Sequence, residues 1–216
     1  MTTKRALVIG AGGGVGRATV SALRETGTEV VAAGSERDAT DPAQVAALLE
    51  KAGPDLVVVA AGARPHMASI EDQTWESFSK TWEVDVKIAF EVGQAALARP
   101  LPPGSTVVIM ASGAGINVGG SPKSGGYAGA KRMQMFMARY LQLASDARGL
   151  GIRFVALAPT ELLAGTRIGQ AASEAYGKQA GPLDSEGVAR AILAIIAGEH
   201  PEAAELAVTS AGLEAI

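Results

Sequence analysis

The chain has 216 residues, a formal net charge of −3, no cysteine and two histidines, His66 and His200. That length suits a single α/β domain spanning 1–216 with a sizeable core. The residue counts argue against a disulfide frame, a thiolate metal site or a His-based zinc cluster, and no basic block offers a nucleic acid its electrostatic footprint.

Ala6–Ile9 predicts a first strand, short and continuous as buried parallel strands are. Lys4 and Arg5 precede it, but glycines interrupt the apolar run too early for a signal core, and nothing approaches the length of a membrane span. A cytoplasmic protein without a membrane or nucleic-acid partner is therefore expected. A helix from about Val15 to Thr26 follows the glycine cluster and stops at Gly27. Glu29–Ala33 predicts the second strand. Asp41 reads as an N-cap with Pro42 at the first helical position, opening a helix to about Lys51 that Gly53-Pro54 ends. Leu56–Ala60 predicts a strand. Residues 71–98 carry helical spacing with few breakers, and Pro100, Pro102, Pro103 and Gly104 close that stretch.

Thr106–Met110 predicts another strand, residues 111–126 a loop, and Tyr127 to about Arg148 a long helix. Ile152–Leu157 predicts a strand closed by Pro159. Residues 160–182 read as irregular with room for one short helix. Glu186–Ala197 predicts a helix and Leu206–Val208 a last strand. Strands alternating with helices predict a doubly wound, Rossmann-like parallel sheet of six to seven strands, with helices on both faces. Only about six residues, Gly34–Ala39, separate the second strand from Thr40-Asp41, too few for a crossover helix of roughly ten or more residues. One helix is thus missing from the pattern, and a brief third strand is expected near Arg37–Ala39.

The segment Gly10-Ala11-Gly12-Gly13-Gly14-Val15-Gly16 follows a strand and opens a helix, the context a dinucleotide fingerprint requires. Its spacing is G-x-x-x-G-x-G, with Gly10 for the sharp turn, Gly14 for close approach of a pyrophosphate and Gly16 for close packing. Free amides at the helix start would face the phosphates. A glycine-rich turn without a ligand is the plainer alternative. Farther on, Tyr127 and Lys131 lie four apart and share a helical face. An ammonium beside a phenol lowers its pKa from about 10 and suits it to proton transfer near neutral pH. Ser112 follows the strand Thr106–Met110, at the carboxyl end where such sheets bind ligands, and its hydroxyl can hold a substrate oxygen. Neither histidine sits in a motif that would make that serine a nucleophile.

With these residues in order, the chain resembles the short-chain dehydrogenase/reductase family from Ala6 to about Val208. The resemblance implies hydride transfer between a nicotinamide cofactor and a carbonyl/alcohol substrate. It implies Gly10, Gly14, Val15 and Gly16 as the cofactor loop, and Ser112, Tyr127 and Lys131 as the catalytic set. Val59-Ala60-Ala61-Gly62 resembles the family's Asn-Ala-Gly stretch, which places Ala61 and Gly62 over the cofactor. Ala158-Pro159-Thr160-Glu161-Leu162 resembles its Pro-Gly segment, which places Pro159 and Leu162 near the nicotinamide. Lys131 should also hold the nicotinamide ribose. Four departures stand out: Ile9 for Thr, Ala60 for Asn, Thr160 for Gly, and Asp85 for an Asn that helps to hold a water linking the lysine to solvent. Asp85 can accept the same hydrogen bonds, and its charge is expected to perturb Lys131. The Ser112–Tyr127 spacing is about two residues longer than is common, with the extra length expected in the Gly119–Gly126 loop.

Gly34, Ser35, Glu36 and Arg37 stand where an acid would grip the adenosine ribose. Ser35 can donate to a 2′-phosphate and Arg37 can pair with it in a fork, which favours NADP(H) over NAD(H). Glu36 is the counter-indication. Asp38 resembles the family's Asp near the adenine. The segment 160–182 is expected to cover the substrate, Met133 and Met137 to pack in the core, and Trp75, Trp82 and His66 to fill gaps or edge the site. Resemblance to the family further implies a homodimer or homotetramer. The alternative function is a dinucleotide-binding regulatory protein with little or no turnover. An epimerase is disfavoured because 216 residues leave little room for a sugar-nucleotide subdomain.

Overall fold

A computed structural model describes residues 4–116, 121–177 and 179–216. Seven strands form one sheet in the order β2-β1-β3-β4-β5-β6-β7. They are β1 (Arg5–Ile9), β2 (Glu29–Ala33), β3 (Leu56–Val59), β4 (Thr106–Met110), β5 (Arg153–Pro159), β6 (Glu205–Thr209) and β7 (Gly212–Ala215). The first six are parallel, whereas β7 folds back antiparallel on β6, a hairpin that the parallel pattern did not include.

Helices α1 (Gly14–Glu25) and α8 (Ser185–Ala197) cover one face, and α2 (Pro42–Ala52), α4 (Lys87–Ala98) and α6 (Gly125–Ala147) the other. Alternation along the strands divides the core accordingly. Leu7, Ile9, Val57 and Val59 point to the α2/α4/α6 layer, while Ala6, Val8, Leu56 and Val58 point to the α1/α8 layer. The helix starts follow their caps: Asp41 accepts from the Ala43 amide at 2.9 Å, and Pro42 occupies the first turn of α2. Shorter helices are α3 (Trp75–Thr81), α5 (Gly113–Ile116) and α7 (Arg167–Tyr176).

Three differences from the sequence-based expectation bear on the site. Residues 37–39 form a turn and bend rather than a third strand, because the chain runs straight from β2 into α2. The stretch 71–98 is divided: α3 and α4 are joined by a π turn at Trp82–Val86. The segment 111–126 contains the short helix α5 in place of a continuous loop. Asn117–Gly120 lie outside the described residues, and with them part of the expected Gly119–Gly126 lengthening.

From β1 the chain moves to β2 on one side, then crosses back through α2 to β3 on the other. That reversal opens a crevice at the carboxyl ends of β1 and β3, where open α/β sheets hold their ligands. The glycine turn leaves β1 there, and Ala60–Gly62 leaves β3.

Candidate active site

The crevice is a cleft of about 720 Å³ whose walls include Gly13–Gly16, Ala60–Ala63, Asp85, Ser112, Tyr127, Lys131, Pro159 and Leu162. At one end lies the glycine turn. Gly10 has φ +89°, and a Cβ there would collide with the Ala60–Ala61 backbone, so only glycine permits this turn. A Cβ on Gly16 would strike the Gly10 carbonyl. Gly14 gives clearance to the Thr166 methyl and the Ser185 hydroxyl, 3.1 and 3.0 Å from where its Cβ would stand. The start of α1 has no side-chain cap, which leaves its first amides facing the cleft. An uncapped helix start on a turn of bare backbone fits a diphosphate.

At the other end, Ser112 follows β4 and Tyr127 stands in the first turn of α6. Both line the cleft, with the Tyr127 side chain buried beneath it. Lys131 lies one turn on, its Nζ 5.6 Å from the Tyr127 ring centre. The ammonium is enclosed by three acceptors: Asp85 Oδ2 at 3.0 Å, Gln134 Oε1 at 2.8 Å and the Met110 carbonyl at 3.2 Å. Asp85 also accepts from the Ala63 amide at 2.8 Å, and Gln134 donates to the Asp85 carbonyl at 3.0 Å. Two local features admit the carboxylate. The π turn carries Asp85, and the bare Cα of Gly62 leaves room, since a Cβ there would lie 2.8 Å from Oδ2. Widened turns of this kind recur at functional sites.

A family model described as enoyl-(acyl carrier protein) reductase matches residues 16–198. The chain belongs to the short-chain dehydrogenase/reductase family. This is a family of oxidoreductases that use nicotinamide dinucleotides. An uncharacterised short-chain type dehydrogenase/reductase of Sinorhizobium fredii is 31% identical over 177 residues, 71% of this chain; the match spans 31% of that relative's length. A short-chain dehydrogenase from Burkholderia cenocepacia in complex with NADP superposes with a TM-score of 0.76 at 21% identity, covering 95% and 96% of the two chains. A 3-ketoacyl-(acyl-carrier-protein) reductase from Brucella melitensis complexed with NADH gives 0.74 at 20% identity, with the same coverage. At these identities the structural likeness establishes the fold.

Burial raises the Tyr127 pKa above its ordinary value; Lys131 and the Ser112 hydroxyl pull it down, while Asp85 and Tyr176 push it up. The net direction is upward, which corrects the expectation that Lys131 alone brings the phenol towards neutrality. A neighbouring cation was legible in the sequence, whereas the depth of burial was not. Burial also disfavours the Lys131 ammonium, but Asp85, Tyr127 and the hydrogen bond to Asp85 outweigh it, and the Lys131 pKa rises. The expected perturbation of the lysine by Asp85 is thus towards a more persistent charge.

The remaining anticipated residues are spread around this frame. Gly10 lies beneath the turn, outside the cleft wall. Ser35, Arg37 and Asp38 are exposed in the turn after β2 and do not line the cleft. Asp38 Oδ1 takes the Thr40 amide and hydroxyl, at 2.9 and 2.7 Å. Glu36 folds back so that Oε1 accepts the Gly34 amide at 2.9 Å, and that bond lowers its pKa. Thr160 continues the β5 edge, its amide donating to Val208 at 3.1 Å. Met137 is buried and Met133 partly so, whereas Trp75 is exposed. His66 lines a second, outer cavity that shares Met67 with the main cleft.

Gln134 and Met67 were not anticipated, while Thr166 and Tyr176 fall in the 160–182 segment expected to cover the substrate, several residues of which line the cleft. Gln134 carries a legible signal, because it falls one turn after Lys131 on the same helical face. Met67 reaches the cleft from the chain after β3 only through tertiary packing.

Proposed function

We propose that the protein interconverts a carbonyl and an alcohol with NADP(H) as the favoured cofactor. The observation that carries this reading is the convergence of Ser112, Tyr127 and Lys131 on one cleft with the glycine turn. When bound, the dinucleotide supplies a hydride to the carbonyl carbon, or receives it in reverse. The Ser112 hydroxyl donates to the substrate oxygen, and Tyr127 gives its proton to that oxygen as the carbonyl becomes an alcohol. Lys131 supplies the positive charge that steadies the phenolate left behind. Asp85 and Gln134 hold the ammonium in place. Gly14, Val15 and Gly16 offer amides to the diphosphate, while Ala61, Gly62, Pro159 and Leu162 would bound the nicotinamide end.

The cofactor preference is supported by Glu36 Oε1 being taken by the Gly34 amide while Ser35 and Arg37 stand exposed on the same turn, Arg37 near enough to Glu36 to favour its charge. Titration with NADPH and NADH tests both points. Arg37→Ala should weaken NADPH about tenfold and NADH less than threefold, since only a 2′-phosphate gains the guanidinium fork. Failure of the wild type to bind either cofactor would defeat the reading, and equal losses for both would defeat the preference.

A self-association surface accompanies this function. On α6, Phe136, Tyr140 and Leu143 lie 56, 58 and 67% exposed along one stripe, beside Phe90 of the neighbouring α4 at 46%. Phe136 and Tyr140 stack with ring centres 6.3 Å apart. Such a patch marks an interface, and a two-fold pair through α4 and α6 is proposed. Sedimentation should find a dimer or a dimer of dimers, and Phe136→Asp should shift it to the monomer. A monomeric wild type would refute the pairing.

A further inference from the structure

Around Tyr127 the cleft lining includes Ala63 and Met67, after β3, and Ala172 and Tyr176 from the second half of α7. The Ala63 amide is tied to Asp85, and Tyr176 donates from its hydroxyl to Met67 Sδ at 3.3 Å. Tyr176 stands close enough to Tyr127 to influence its ionisation. Met67, Ala172 and Tyr176 therefore form the wall beside the reacting hydroxyl.

The charged groups at this end are each engaged within the protein, two in ion pairs and two by neutral backbone groups. Arg64 Nη2 pairs with Glu174 Oε2 at 2.7 Å, both half-exposed or more. Lys123 Nζ donates to the Ala175 carbonyl at 3.0 Å. Lys131 is committed to Asp85. Glu161 accepts the Ser210 and Leu183 amides at 2.7 and 3.1 Å. Among the described residues that line the cleft, Arg167 is the charged side chain without a hydrogen bond or ion pair. It follows Thr166, which abuts Gly14, so it belongs to the glycine-turn end. Arg167 and Tyr176 begin and end α7, about 14 Å apart along the helix.

We propose that the substrate is a neutral, largely apolar carbonyl compound or its alcohol, seated against Met67, Ala172 and Tyr176, with the Arg64–Glu174 pair cancelling charge in the adjoining outer cavity that shares Met67. This rests on the carbonyl/alcohol function proposed above. A carboxylate or ammonium on the substrate would lose water against thioether, methyl and phenol surfaces without gaining a counter-ion from that wall. The Arg64–Glu174 pair contributes little to stability at such exposure. Its consequence is local: each member screens the charge that the other would offer to a ligand.

The test measures binding to protein saturated with NADP⁺, where a ketone cannot be reduced. The probes are an aliphatic methyl ketone and the same chain ending in a carboxylate or in a trimethylammonium group. Calorimetry should show the neutral ketone binding about tenfold or more tightly than either charged one. Glu174→Gln should move the carboxylate-to-neutral affinity ratio about fivefold towards the carboxylate, and Arg64→Gln should move the trimethylammonium ratio the other way by a similar factor. Equal affinities in the wild type, ratios unmoved in both variants, or binding of no probe would each overturn the inference. Separate assays with NADPH distinguish the two proposals. Selective binding without turnover of any carbonyl removes the catalytic function alone, and turnover of charged and neutral ketones alike removes the selectivity alone.

Discussion

Tyr127→Phe should lower kcat for carbonyl reduction by about 10²–10⁴-fold while leaving NADPH affinity nearly unchanged. The substitution deletes one oxygen from a buried ring that otherwise packs as before. What disappears is the proposed proton donor beside the cleft, so under the proposed function the loss falls on the chemical step. The contrast between kcat and cofactor affinity is the discriminating measurement. Retained turnover would show that another group handles the proton, and a parallel collapse of cofactor binding would show that the ring mainly shapes the cleft. The upward direction of the Tyr127 pKa also sets the pH profile. The phenol stays protonated through neutrality, which suits reduction. Alcohol oxidation requires the phenolate and should climb on the alkaline side. Because Asp85 raises that pKa, Asp85→Asn should shift the alkaline limb of oxidation to lower pH.

Lys131→Met should cost about 3–5 kcal/mol of unfolding free energy, as expected when one partner of a buried pair is removed. The Asp85 carboxylate would keep the Ala63 amide but lose the ammonium at 3.0 Å. Denaturant unfolding of Lys131→Met beside the double variant Lys131→Met/Asp85→Asn checks the cause. If the penalty comes from an uncompensated charge, the double variant recovers a large part of it. If it comes from packing, the two unfold alike. The pH dependence carries a matching sign. The Lys131 pKa is raised on folding, so its contribution is fully present below the ordinary lysine value of about 10.4. It is lost as pH rises through the higher folded value.

Much of this architecture was legible in the residues. The continuous apolar runs of β1 and β3, the Asp41-Pro42 helix start and the positions of Ser112, Tyr127 and Lys131 each follow from local pattern. The π turn was not legible, because Trp82–Val86 keeps an apolar spacing compatible with an ordinary helix, and the Asp85–Lys131 pair it accompanies is a tertiary contact. The β6–β7 hairpin was not legible because Gly212–Ala215 is only four residues long and mostly exposed, with Leu213 alone packed against the core. The segment at 37–39 misled in the opposite sense: its missing helix was legible, but the accompanying strand went with it. The upward net shift of Tyr127 required burial, which no local motif records.

That lost strand has a consequence at the margin of the molecule. Among the described residues no strand pairs with the outer side of β2, which presents a row of amides and carbonyls, a template on which foreign chains could nucleate. Five residues are too few to make that template extensive. Glu29 places a charge at its first position, with Arg5 of the adjoining strand 3.7 Å away. Brevity and charge together guard the border against sticky assembly.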